Sequence, residues 1–240
     1  MILTAAYAAL RRLPTPEFRS VLWKSLGWTF LALIALWALL RQMFFWLAWP
    51  WFETLLPTMP DWTSWLGLFA AIAAGFVLAL LLAFLIAPVT ALVAGIFLDD
   101  VAEIIEREDY SNAPAGTAMP VGRSIVYSLK FLGIVLIGNL CALLMLLIPG
   151  VNLIAFFIVN GYLLGREFFE FAAMRYRGEA GAKAFRQQHK ISVFLAGLVI
   201  AAFLAIPLVN LLTPLFAAAM MVHLHKALSG QAMVPLQASS

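Results

Sequence analysis

Charge is what this sequence has least of. Asp, Glu, Lys and Arg make up 11% of its 240 residues, against about 25% in an average soluble domain. None of the four occurs in Trp65–Leu98, Phe131–Gly165 or Ile191–His225. Such runs exceed the ~18–20 apolar residues that cover a ~30 Å hydrocarbon core, so the expected solvent is lipid. Cysteine is nearly absent too. Cys141 stands alone inside an apolar run, which excludes a disulfide framework and a thiolate metal site. Enzyme signatures are missing: there is no His-Glu-x-x-His, no Gly-x-Ser-x-Gly and no phosphate-cradling glycine loop ending in Lys-Ser/Thr, so no catalytic role and no cofactor are expected. The surplus of 15 basic over 12 acidic side chains is scattered between apolar runs, which argues against nucleic acid as a partner.

What is present is an all-α integral membrane pattern within a single membrane domain, residues 1–228, and a tail, 229–240, expected to be disordered. "ILTAAYAALRR" reads as an amphipathic helix on the membrane surface, interrupted by Pro14 and Pro16. A first span is expected over about 25–49; with no small-residue cleavage site after it, it reads as an uncleaved anchor. Residues 50–65 hold three prolines, two acids and four aromatics without Lys or Arg, the make-up of a short external loop. The second span, about 65–98, is long enough to project beyond the bilayer, and Pro88 should kink it. The 99–123 segment starts as a polar helix burying Val101, Ile104 and Ile105. Residues 166–190, with seven basic side chains counting His189, read as a hairpin turning at Gly178–Gly181.

Lys and Arg flank both ends of the apolar runs 131–165 and 191–228, and all belong in the cytoplasm. One crossing per run would strand a basic end outside. A turn in the middle removes the conflict. Each run has Ile-Pro-x-Val-Asn at its centre, with Pro149 and Asn152 in the first and Pro207 and Asn210 in the second. Proline ends one helix and Asn can cap the next, so two hairpins follow: 131–148 with 151–165, and 191–206 with 211–228. Their arms of about 15–18 residues, roughly 23–27 Å, suit either re-entrant turns shielded by protein or short full spans. Both termini then face the cytoplasm.

Inside the apolar runs the polar residues are Arg41, Asn139, Asn152, Asn160 and Asn210, with no acid; a proton or cation path usually needs one, so an anion or neutral solute is favoured. Asn152 and Asn210 serve as caps or line a pore. His223 and His225, two residues apart, lie on different helix faces and read as solvated or interfacial rather than metal ligands. His189 reads as exposed. An anion site needs a helix N-terminus and an Arg, and "PEFRS", 16–20, offers both through Arg19.

The order of "LPTPEFRSVL", "IAPVTALV" with "LDDVAEIIE", "LLIPGVNLIAFFIVNGYLLGREFFEF" and "AIPLVNLLTPLFAAA" resembles the CysZ family of bacterial inner-membrane sulfate permeases, within the group sharing an etoposide-induced-protein-like domain. The likeness runs from about Tyr7 to Leu228. It implies two long transmembrane helices plus partly penetrating hairpins, a homo-oligomer, and sulfate uptake across the inner membrane for cysteine synthesis. It also implies a sulfate site where the family's Gly-Leu-Arg motif falls, here Glu17, Phe18 and Arg19, with Ser20 in place of a frequent second Arg and Lys24 further on. Only Arg19 is retained and Glu17 adds a negative charge, which leaves a non-transporting membrane scaffold or assembly protein as the alternative.

Overall fold

The computed structural model describes residues 1–47, 50, 64–118, 120, 122, 126, 129, 133, 151–206, 209–231 and 233. Among them are α1 (Ile2–Arg12), α2 (Pro16–Leu47), α3 (Ser64–Asp109), α4 (Val151–Gln188), α5 (Lys190–Leu204) and α6 (Thr213–Leu228), with a short 3-10 turn at Val209–Leu212. No strand occurs among the described residues. They divide into two compact units, Leu26–Val93 and Met1–Ser25 with Ala94–Ser240.

In the first unit lie the apolar lengths of α2 and α3. The 32 residues of α2 make about 48 Å of helix and the 46 of α3 about 69 Å. The segment Pro16–Trp46 is long and apolar enough to cross a membrane. Trp28, Phe30, Ile34, Trp37, Phe69, Phe76 and Leu80 are exposed, as lipid-facing side chains are, since hydrocarbon imposes no penalty on them. The backbone of α3 is helical through Pro88.

The second unit has a water-excluding core. Helix α6 is buried from Leu215 to Lys226, the pattern of a helix covered all round. Helix α1 lays Ala5, Ala6 and Ala9 against this core and packs on α6. Short side chains let the two backbones approach. The opposite face of α1, with Leu3, Tyr7 and Leu10, is exposed, so the helix is amphipathic, but protein covers its small-residue side.

Helices α4 and α5 share the most extensive helix contact among the described residues, with Gly161 against Leu198 and Gly165 against Val193 in antiparallel order. Gly161, Gly165 and Gly197 make this possible. A Cβ on Gly165 would stand 2.6 Å from the Val193 carbonyl oxygen, and one on Gly197 would strike the Gly161 carbonyl oxygen. "GYLLG", 161–165, thus works as the small-x-x-x-small spacing of close helix pairs. The reversal between them begins at Gly178, φ 65 and ψ 178, within the 178–181 stretch that the sequence marks as a turn. Only glycine tolerates that backbone region readily. Gly178→Ala is expected to cost about 1–3 kcal/mol, read as a lower melting midpoint, while Gly27→Ala, on α2 with open space around it, should be neutral or stabilising by about 1 kcal/mol.

The second Ile-Pro-x-Val-Asn does break its run: α5 ends at Leu204 and α6 starts at Thr213. The expected capping roles need correction. Asn210 lies within the 3-10 turn, and the N-cap of α6 is Leu212 without a side-chain bond. Pro214 opens that helix instead, its missing N–H being one no helix start could use. Asn152 is the second residue of α4, already inside the helix. Nor does α4 stop at Gly165; it stays helical to the break at Gly178, because Arg166–Arg177 is still strongly amphipathic. The 131–148 arm, Pro149 and Pro207 lie outside the described residues, apart from the backbone of Gly133.

Candidate functional site at the start of the first long helix

Helix α2 begins where Thr15 folds back. Its hydroxyl donates to the Arg12 carbonyl oxygen at 2.7 Å, and its own carbonyl accepts the Arg19 N–H at 3.0 Å. Pro16 occupies the first helical position. The N–H groups of Glu17 and Phe18 are therefore among the unfilled donors of the first turn, where the partial positive charge of a helix gathers. Phe18 is 0% exposed and, with Val21 and Ser25, turns inward. Glu17, Arg19, Ser20 and Lys24 lie outward and exposed.

The cations here divide into two sorts. Arg12 is buried: its Nε donates to Asp109 Oδ2 at 3.1 Å, and its other nitrogens reach Asp109 and Glu108. The hydrogen bond to Asp109 holds the guanidinium above its ordinary value against the cost of burial, with the charges of Asp109, Glu108 and Glu17 adding. Arg19 has no acidic partner among the described residues. Lys24 lies within the field of Asp100, whose carboxyl is raised by burial and lowered by that lysine. Beside α1 a cleft of about 300 Å³ is lined by Tyr7, Arg11, Arg12, Thr15 and Asp109 among others.

Behind this start is a buried polar network that sequence reasoning missed. Arg175, 5% exposed, donates through Nε and Nη2 to the two oxygens of Glu106, at 3.0 and 3.1 Å, and also pairs with Asp99. Glu106 further accepts from the Gly116 N–H at 2.9 Å and from the Tyr176 hydroxyl. Burial pushes its carboxyl up, but the bonds from Arg175 and Tyr176 outweigh that and hold it below its ordinary value. The Thr117 N–H donates to the Arg175 carbonyl at 2.8 Å, and Lys226 donates to the Pro114 carbonyl at 3.0 Å with its ammonium 4.4 Å from the Tyr176 ring centre. Together these ties bind the last turns of α3 and the loop after it to each other and to α4 and α6.

His223 and His225 are each 2% exposed, which corrects the expectation of solvated histidines. His223 Nδ1 lies 3.1 Å from the Tyr110 hydroxyl and its Nε2 3.5 Å from Asp109. His225 stacks on Tyr176 at 4.7 Å between ring centres. His189 is only partly exposed and meets Phe185 edge-on. One signal could have shown the network: Asp99, Glu106 and Asp109 recur at helical spacing beside the apolar residues Ala102 and Ile105. Acids on a buried face ask for cations from elsewhere.

The family model described as sulfate transporter CysZ/etoposide-induced protein 2.4 matches residues 5–214. The chain belongs to that family. No curated protein matches it. The match takes in most of α1, the Arg19 turn, both long helices, the glycine contact and the break between α5 and α6, so this CysZ-type chain is a helical membrane protein of a transporter family. Tertiary structure brings Arg12 to Asp109 and leaves Arg19, Ser20 and Lys24 exposed on the outer side of the α2 start; it buries Phe18 beneath them. Of Asn152 and Asn210, the backbone alone is described.

Proposed function

We propose that this chain is an oxyanion permease of the bacterial inner membrane that admits sulfate to the cytoplasm for sulfur assimilation, acting as a homo-oligomer. Two long helices, α2 and α3, cross the bilayer, and the broken runs enter it as hairpins with both termini cytoplasmic. The observation that carries this reading is the contrast between Arg12, buried and neutralised by Asp109 and Glu108, and Arg19, exposed without an acidic partner among the described residues. An unpaired guanidinium beside the free N–H groups of a helix start offers charge and fork geometry to a tetrahedral oxyanion. Lys24, one turn beyond Ser20, adds positive charge.

Isothermal titration of the purified protein with sulfate should give saturable heat that Arg19→Ala weakens about tenfold or more, while Arg19→Lys retains part of it. Equal heats in all three would remove Arg19 from the site. The second reading, a non-transporting scaffold, is favoured by one feature: glutamate stands where the family motif has glycine. Uptake of labelled sulfate into proteoliposomes separates the two, since a scaffold takes up none.

A further inference from the structure

Arg41 is the only charged residue between Lys24 and Glu53. It lies on α2, six residues before that helix ends at Leu47, with its side chain exposed. No carboxylate pairs with it among the described residues. Its guanidinium carbon lies 5.9 Å from the Trp37 ring centre and 5.3 Å from that of Phe45. These rings sit one turn before and one turn after it, so the guanidinium is held along the helix by two π faces. Contacts of that kind form no hydrogen bond through the N–H groups of the cation. They leave its in-plane N–H donors open, and it is those donors that take an oxyanion in a fork.

A permanent charge on an apolar span demands a partner, since lipid tails supply none. Water can meet part of that demand and a second ion meets it better. The basic residues before the span place its start on the cytoplasmic side, so Arg41 falls toward the external end, where an incoming anion or an outer-leaflet headgroup arrives first.

We propose that Arg41 is a second oxyanion-binding point, toward the external end of α2, taking a sulfate-class anion or the phosphate of a phospholipid headgroup through the open edge of its guanidinium. The sulfate arm rests on the permease reading above; the phospholipid arm does not. Trp37 and Phe45 orient the group, so Arg41→Lys, which loses the fork and the flat stacking surface, retains only a weakened site.

The test uses the full chain purified in a phosphate-free non-ionic detergent, as wild type, Arg41→Gln, Arg41→Lys and Arg19→Ala. Two quantities are measured on each: labelled sulfate bound per chain by equilibrium dialysis, and phospholipid phosphorus retained per chain after gel filtration. If the ligand is the free anion, Arg41→Gln loses one class of bound sulfate that Arg19→Ala keeps, and Arg41→Lys binds about tenfold more weakly. If the ligand is a headgroup, sulfate binding is unchanged but Arg41→Gln retains less phosphorus than wild type. Equal sulfate and equal phosphorus in wild type and Arg41→Gln overturn the proposal. Failure of the permease reading looks different: the wild type then takes up no oxyanion in proteoliposomes, whatever phosphorus it retains. A gel-filtration profile matching wild type shows that each variant is folded.

Discussion

Arg175→Met is expected to destabilise the protein by roughly 3–5 kcal/mol, because removing one partner of a buried ion pair leaves the other uncompensated. Glu106, itself 5% exposed, is left without its counter-charge here, and Asp99 loses its ion pair with Arg175. The pH dependence gives the variant a signature that mere loss of packing would not. In the wild type the folded Glu106 carboxyl is held below its ordinary value of 4.5. Its contribution is therefore fully present above that value and is lost as pH falls through the lower folded one. Without Arg175 only the bonds from Tyr176 and Gly116 still oppose burial, so the folded carboxyl rises and the stabilisation it gave above its ordinary value shrinks. Melting midpoints of variant and wild type should differ most near neutrality and draw together on acidification. A gap that stays constant with pH would show that Arg175 matters only for packing. Adding Glu106→Gln should recover part of the loss at neutral pH, as the amide needs no counter-charge.

Gly197→Ala should do comparable damage with a single methyl group. Its Cβ would strike the Gly161 carbonyl oxygen and lie 2.8 Å from the Gly165 Cα and N. These are backbone atoms on a facing helix, and no rotamer change can move them aside. Helix α5 would have to shift off α4 and give up contact along the pair, which sets the cost at the upper end of overpacking, about 3 kcal/mol. Gly161→Ala should cost less, since its nearest obstacle at 2.6 Å is the end of the Leu198 side chain, which can rotate. A melting midpoint for Gly197→Ala equal to wild type would mean that the α4–α5 approach is looser than drawn. The consequence extends beyond the pair, because α4 carries Arg175, which holds Asp99 and Glu106 on the same end of α3 that pairs with Arg12.

Much of the architecture was legible because its causes are local. Long charge-free runs specify helices in lipid, whatever else surrounds them. Gly178 marks its turn because the required backbone angles exclude other residues. Val101, Ile104 and Ile105 announce their buried face by spacing alone. The capping roles given to Asn152 and Asn210 were less secure. A side chain that can cap does not fix where a helix begins when Pro214 can start it instead.

The sequence by itself thus determined that this is a helical membrane chain, where its apolar runs are interrupted, and, through "LPTPEFRSVL", which end of the first long helix to examine. Only tertiary structure decided which charges are spent and which are free. Arg12 and Arg19 look alike as two arginines before an apolar run, yet one meets Asp109, 97 residues away, and the other meets no acid among the described residues. His223 and Lys226, at the end of an apolar run, look equally ready for water, yet the end of α3 brings Asp109 and Tyr110 to them and α4 brings Tyr176. Hydrophobic periodicity is set by neighbours three and four residues apart, whereas the partner of a charge is set by folding and can come from anywhere in the chain.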